Sequence, residues 1–205
     1  MERPAELPQI ETGSHERADA ARNRGRILCT ARQLFEERGV ASVSMDDVAD
    51  AAGVGKGTLF RRFGSRAALC RALLDDSERA LQEGFIRGEP PLGPGAPPRE
   101  RLIAFGEALL EMLDTHAEVM FGAEVGSERF ISAPYGVHRL HVMLLLREAD
   151  PDCDAELLAE TLLAGFSAGA FLYLRKVREM PLERLKAGWS ELVSRTLSAD
   201  AGVAV

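Results

Sequence analysis

Apolar positions recur at three- and four-residue spacing along most of the chain, the mark of amphipathic helices, and no stretch alternates convincingly with the two-residue period of a strand. The first clear stripe, Ile27, Ala31, Leu34 and Phe35, predicts a helix that stops at Gly39. Met45, Val48, Ala49 and Ala52 share one face of a second, short helix. Ser44 can cap it through its hydroxyl, and Asp47 three residues on completes a capping-box pattern. Gly53 supplies the left-handed residue that ends it, since a residue without Cβ sits there at no steric cost. After Val54 and Gly55 a third helix opens, with Leu59, Phe60 and Phe63 expected inside and Lys56, Thr58, Arg61 and Arg62 on the opposite face. Ser65 caps a fourth, which runs through Leu69 and Leu73 to about Phe85.

Residues 87–98 are so rich in proline and glycine that they cannot be helical, and they read as an exposed loop and the clearest boundary in the chain. Helices follow at 99–116, with Leu102, Phe105, Leu109 and Leu113 on one face, and at 134–148. A less regular stretch at 117–133 separates them. Asp150-Pro151-Asp152 is a break, 153–178 is expected to be the longest helix, and Pro181 begins the last, through Leu185, Trp189, Leu192 and Val193 to about residue 197. Residues 1–16, with two prolines and no helical stripe, read as a disordered leader.

Two short helices, a tight turn containing glycine and a basic, hydroxyl-bearing second helix describe a helix-turn-helix. The net charge of −7 argues against a nucleic-acid partner until its location is considered. Residues 17–75 hold 11 Lys and Arg against 7 Asp and Glu, whereas residues 76–205 hold 13 against 21. Basic charge is gathered around the helix-turn-helix, as phosphate binding needs, and the acidic remainder should repel DNA. An arm carrying Arg17, Arg22, Arg24 and Arg26 leads into the first helix and can reach phosphates or a neighbouring minor groove. Cys29, Cys70 and Cys153 have neither metal-ligand nor disulfide spacing, and Cys29 and Cys70 read as small core residues. The N-terminus lacks a signal-peptide pattern, and the longest apolar run, 161–174, is too short to span a bilayer. A cytoplasmic protein with no membrane partner is the expectation.

From Ile27 to Leu74 the sequence resembles the DNA-binding domain of the TetR family of bacterial transcriptional regulators. The resemblance rests on Ala31, Leu34, Phe35, Gly39, Val48, Ala49, Ala52, Gly53, Val54, Gly57, Leu59, Phe63, Arg66 and Leu69, and covers about a quarter of the chain. It implies an all-α protein: an N-terminal three-helix helix-turn-helix DNA-binding domain (17–74) and a C-terminal helical ligand-binding and dimerisation domain (75–205). Lys56, Thr58 and Arg62 are expected to face DNA, with Gly57 letting the backbone approach, and Lys or Arg suits guanine while Thr suits a thymine methyl. Arg24 and Arg26 of the arm, Ser44 and Met45 at the second helix, and Phe60 and Arg61 complete the DNA-facing set. Arg66 joins it because a cation in a helix's first turn is disfavoured by the dipole, so a phosphate partner would explain it; the family usually has a DNA-touching lysine there. Phe60 departs from the family's usual tyrosine and loses a phosphate-binding hydroxyl, and Gly55 stands where serine is common.

The resemblance also implies a small-molecule pocket in the body. Met112, His116, Met120, Phe121, Phe130, His138, His141, Phe166 and Tyr173 are its candidate lining, because they mix apolar bulk with a few polar tips. His138 and His141 share a helix face, but no carboxylate or thiol at helical spacing joins them, so neither a metal nor a cofactor is expected. The segment around 157–174 is apolar nearly all round, with Gly165, Ala168 and Gly169 allowing close backbone approach. Together with the last helix it suits a two-fold four-helix interface, and Leu162, Gly165, Phe166, Gly169, Leu185, Trp189 and Leu192 are assigned to it. The expected function is a repressor that binds a palindromic double-stranded DNA operator as a homodimer and is released by a small-molecule effector. The alternative is an all-α carrier or enzyme whose helix-turn-helix is incidental; no nucleophile–base pairing or phosphate-binding glycine loop favours it.

Overall fold

The computed structural model describes residues 12–124 and 126–197, and these are helical with no strand among them. The chain divides into two compact units, one ending at Arg66 and the other starting at Ala67, ahead of the junction expected at 74. The Pro/Gly-rich loop lies inside the second unit and is no domain boundary.

In the first unit α1 (Thr12–Arg38) is followed by a 3-10 turn (Val40–Ser42), α2 (Met45–Ala51) and α3 (Lys56–Phe63). Helix α1 begins inside the stretch read as a leader; residues 1–11 lie outside the described residues. The core is the one the stripes predict: Ile27, Ala31, Leu34, Phe35, Val48, Ala49 and Leu59 are buried. Cys29 does not join it and is exposed, while Cys70 is buried. Gly39 and Gly53 have φ of 78° and 62°, so the turns that close α1 and α2 both need the left-handed region.

The second unit opens with the rest of α4 (Arg66–Arg87). Then come α5 (Pro98–Ala123), a 3-10 stretch (Gly126–Ile131), α6 (Ala133–Ala149), α7 (Ala155–Ala164), α8 (Ala168–Leu172) with a π turn (Tyr173–Val177), and α9 (Leu182–Thr196). Helix α5 is the axis of this unit, packing against α6, α8 and α9. Its Leu102, Phe105 and Leu113 are fully buried among Val142, Leu146, Leu163 and Val193. Gly106 lets Trp189 of α9 lie directly on α5. The indole Nε1 donates to the carbonyls of Leu102 and Ile103, each at 3.1 Å.

The expected long helix at 153–178 is broken. Gly165 ends α7 and Ser167, in extended conformation, caps α8 by accepting from Ala170 N at 3.3 Å, bending the path by 43°. The serine hydroxyl offers the backbone a partner outside the helix, and an apolar run conceals that signal. Conversely, α5 continues seven residues beyond His116, absorbing part of the stretch read as irregular. No single helix among the described residues is long and apolar enough to cross a membrane.

Candidate nucleic-acid interface and ligand cavity

Helix α3 is aimed by its predecessor. Ser44 and Asp47 form the expected capping box: Asp47 N donates to Ser44 Oγ at 3.1 Å, and Ser44 N donates to the Asp47 carboxylate at 2.8 Å. The Ser44 bonds hold the Asp47 carboxyl below its ordinary pKa. Val54 N then donates to Ala49 O at 3.0 Å, tightening the turn into α3. With Leu59 wholly buried, the other face of α3 is fixed outward.

That outward face carries Lys56, Gly57, Arg61 and Arg62, all exposed, with Thr58 half-buried. Phe60 is also outward, 46% exposed, and does not pack inside as the stripe suggested. Lys56 Nζ lies 2.6 Å from the Asp46 carboxylate, and that bond raises its pKa. Arg61 donates to Thr58 Oγ1 at 3.3 Å, and the Arg24 guanidinium stands 5.6 Å over the Phe63 ring. Arg26 donates to Asn23 at 3.2 Å and is otherwise at the surface.

Two members of the expected DNA-facing set are occupied elsewhere. Met45 is buried at 8% exposure, on the inner face of α2. Arg66 is half-buried and ties down the turn before α2: its guanidinium donates to the carbonyls of Val40 and, at 3.2 Å, Val43, and lies 5.9 Å over the Phe35 ring. Those carbonyl bonds, more than a phosphate, explain a cation in the first turn of α4. Ser44 is exposed, but its hydroxyl serves the cap.

The second unit contains a cavity of about 200 Å³ between α4, α5, α6 and α7 and the segment joining α5 to α6. Of the nine candidate lining residues it gathers Met120, His138 and Phe166. The other six lie elsewhere. Met112 is in the core, His116 pairs with Ser77 at 2.9 Å, and His141 stacks on Phe85. Phe121, Phe130 and Tyr173 are exposed by 58%, 50% and 49%.

The remaining wall is made by residues the sequence reading passed over, including Leu74, Glu78, Leu109, Glu124, Arg129, Tyr135 and Leu163. Glu78, outside the expected set, and His138, within it, share a signal in the sequence. Glu78 interrupts the inner stripe Leu74, Leu81, Phe85 of α4, and His138 interrupts Tyr135, Val142 on α6, so each places a polar group where the period demands an apolar one. Their side chains are 14% and 7% exposed, with Glu78 Oε2 3.3 Å from His138 Nε2. Arg129 is neutralised by Glu124 at 3.4 Å, and the Tyr135 hydroxyl donates to Glu160. Burial, then that acceptor, pushes the Tyr135 phenol up to about 12, so it stays protonated.

Of the residues expected at a subunit interface, three lie inside the single chain. Leu162, Phe166 and Trp189 are 5%, 4% and 6% exposed within a single chain and belong to its core. Gly165 and Leu192 are exposed, and Gly169 and Leu185 half-buried.

Residues 27–73 match the family profile described as bacterial regulatory proteins, tetR family, over the elements that build this interface. Over these residues the chain is similar to the DNA-binding head of that family. An HTH-type transcriptional regulator of Staphylococcus aureus (strain USA300) is 46% identical over 54 residues. That match takes in 26% of this chain and only 29% of the relative's length. Beyond the TetR-type head, the likeness is one of fold. NalD, the secondary repressor of the MexAB-OprM multidrug efflux pump in Pseudomonas aeruginosa, superposes with a TM-score of 0.60 at 22% identity, covering 90% of this chain and all of that one. FadR of Thermus thermophilus, a TetR-family repressor in complex with lauroyl-CoA, gives 0.59 at 19% identity, covering 89% and 96%.

Proposed function

We propose that the protein is a ligand-responsive transcriptional repressor acting in the cytoplasm, binding a palindromic DNA operator as a homodimer. The observation that carries this reading is α3. It is a short helix with a buried Leu59 on one side and Lys56, Arg61 and Arg62 exposed on the other, inside a TetR-family domain. In a dimer two such helices enter successive major grooves about 34–36 Å apart. Arg62 and Lys56 read base edges, Thr58 meets a methyl group, and Arg24, Arg26 and Arg61 hold phosphates.

The cavity supports the ligand-responsive half of the reading. It is lined mainly by apolar groups with a few convergent polar ones, the composition of a small-molecule site. A similarly folded repressor holds lauroyl-CoA. An effector seated there shifts the dimer toward a state with unsuitable helix spacing, by no more than its differential affinity for the two states.

A gel shift with the DNA upstream of the chain's own gene, over a salt series, tests this. Binding should fall steeply with salt, and Arg62→Ala should weaken it by about tenfold or more, as expected for a lost base contact worth roughly 1–3 kcal/mol. Absence of binding to that DNA and to a random operator pool at low salt would reject the regulator and favour a carrier.

A further inference from the structure

The cavity wall holds two buried polar atoms that face each other. Glu78 Oε2 and His138 Nε2 are both shielded from solvent, and neither has a hydrogen bond among the described residues. They stand 3.3 Å apart without the alignment of a hydrogen bond. An unsatisfied buried acceptor is costly, so the pair is poised for a donor from outside. A carboxylate accepts only, and a neutral imidazole with its proton on Nδ1 accepts at Nε2. One ammonium group, with its several N–H donors, satisfies both at once.

The cations of the same wall do not compete for an anion. Arg129 is paired with Glu124 at 3.4 Å, donates to Leu163 O at 3.5 Å, and lies 5.6 Å over the rings of Phe130 and Tyr135. Arg71 donates to Ala123 O at 3.2 Å. An incoming carboxylate would therefore meet Glu78 before it met an uncommitted guanidinium.

We infer that the cavity selects an amphipathic amine: a hydrocarbon or aromatic body with one protonated nitrogen bearing N–H groups, held between Glu78 and His138. The body lies along Leu74, Leu109, Leu163 and Phe166. This deepens the functional reading above and rests on it only in taking the cavity for the effector's.

Titration calorimetry on the full chain without DNA tests it, with octylammonium, octyltrimethylammonium and octanoate as probes. Octylammonium should bind about tenfold more tightly than either of the others, because one lacks N–H donors and the other carries the wrong charge. Glu78→Gln, checked for an unchanged melting profile, should lower octylammonium affinity by about tenfold or more and leave octanoate no weaker. Equal or tighter binding of octanoate, binding that tolerates Glu78→Gln, or no binding of any probe would overturn the inference. The probe series on the unaltered chain stands alone if the variant does not fold. Operator binding is measured separately: DNA bound by the protein and released by an anion would sink the amine and spare the repressor, and amine binding without DNA binding would do the reverse.

Discussion

The imidazole of His141 lies nearly parallel to the Phe85 ring, centroids 4.3 Å apart, with Phe105 at 5.1 Å, and its Nε2 has no hydrogen-bond partner among the described residues. Burial, then the neighbouring Arg101 and His138, lower its pKa from 6.5 to about 4. The unfolded chain thus takes up this proton at a higher pH than the folded one. Stability from a neutral His141 is complete above 6.5 and is lost as pH falls toward 4. Urea midpoints measured at about pH 7 and about pH 5 should differ more for the natural chain than for His141→Phe, and parallel pH curves would contradict this. Sequence alone placed His141 beside His138 on one face, which they do share. It could not tell a histidine stacked on Phe85 from one opening on a cavity, because that depends on which element covers each turn of α6. Arg66 carries the same lesson. Its position in a first turn was legible as an anomaly, but the resolving partners, the carbonyls of Val40 and Val43, are more than twenty residues away.

Elements were easiest to read where the deciding groups are neighbours in the chain. Ser44 and Asp47 announce α2, Gly53 ends it, and Pro98 opens α5 at a position where a missing N–H costs nothing. The 43° break after α7 was hidden because a lone Ser167 inside an apolar run weighs little against helical period, yet its hydroxyl decides the local geometry. Packing between elements was less legible still. The stripe of the last helix assigns Trp189 to a subunit interface, whereas Gly106 opens a slot for it on α5. A Cβ on Gly106 would stand 2.0 Å from the indole Nε1. Gly106→Ala should therefore force α9 outward and cost roughly 1–3 kcal/mol. Trp189 is the sole tryptophan, so its fluorescence in a denaturant titration reports both the displacement and the lost stability. An unshifted midpoint would mean α9 accommodates the methyl freely.

At the scale of the whole molecule, the proposed repressor needs a second copy, and the surface left for it is smaller than the sequence suggested. With Leu162, Phe166 and Trp189 turned inward, Leu192 on α9 is the large apolar side chain of that set still exposed, at 47%. Leu192→Glu should halve the mass seen by light scattering and weaken operator binding, since each half-site is then held alone. A variant that stays dimeric would move the interface off α9. The head also bears on how the molecule responds to its medium. The ammonium of Lys56 already has an anion in contact, the carboxylate of Asp46. In the proposed repressor, closing on a duplex would exchange that carboxylate for a nucleic-acid oxygen and turn Asp46 loose beside the sugar-phosphate rail. Fewer counterions are thus expelled than the tally of lysines and arginines implies, and grip on the duplex fades more gently with ionic strength than the charge of the head alone would dictate.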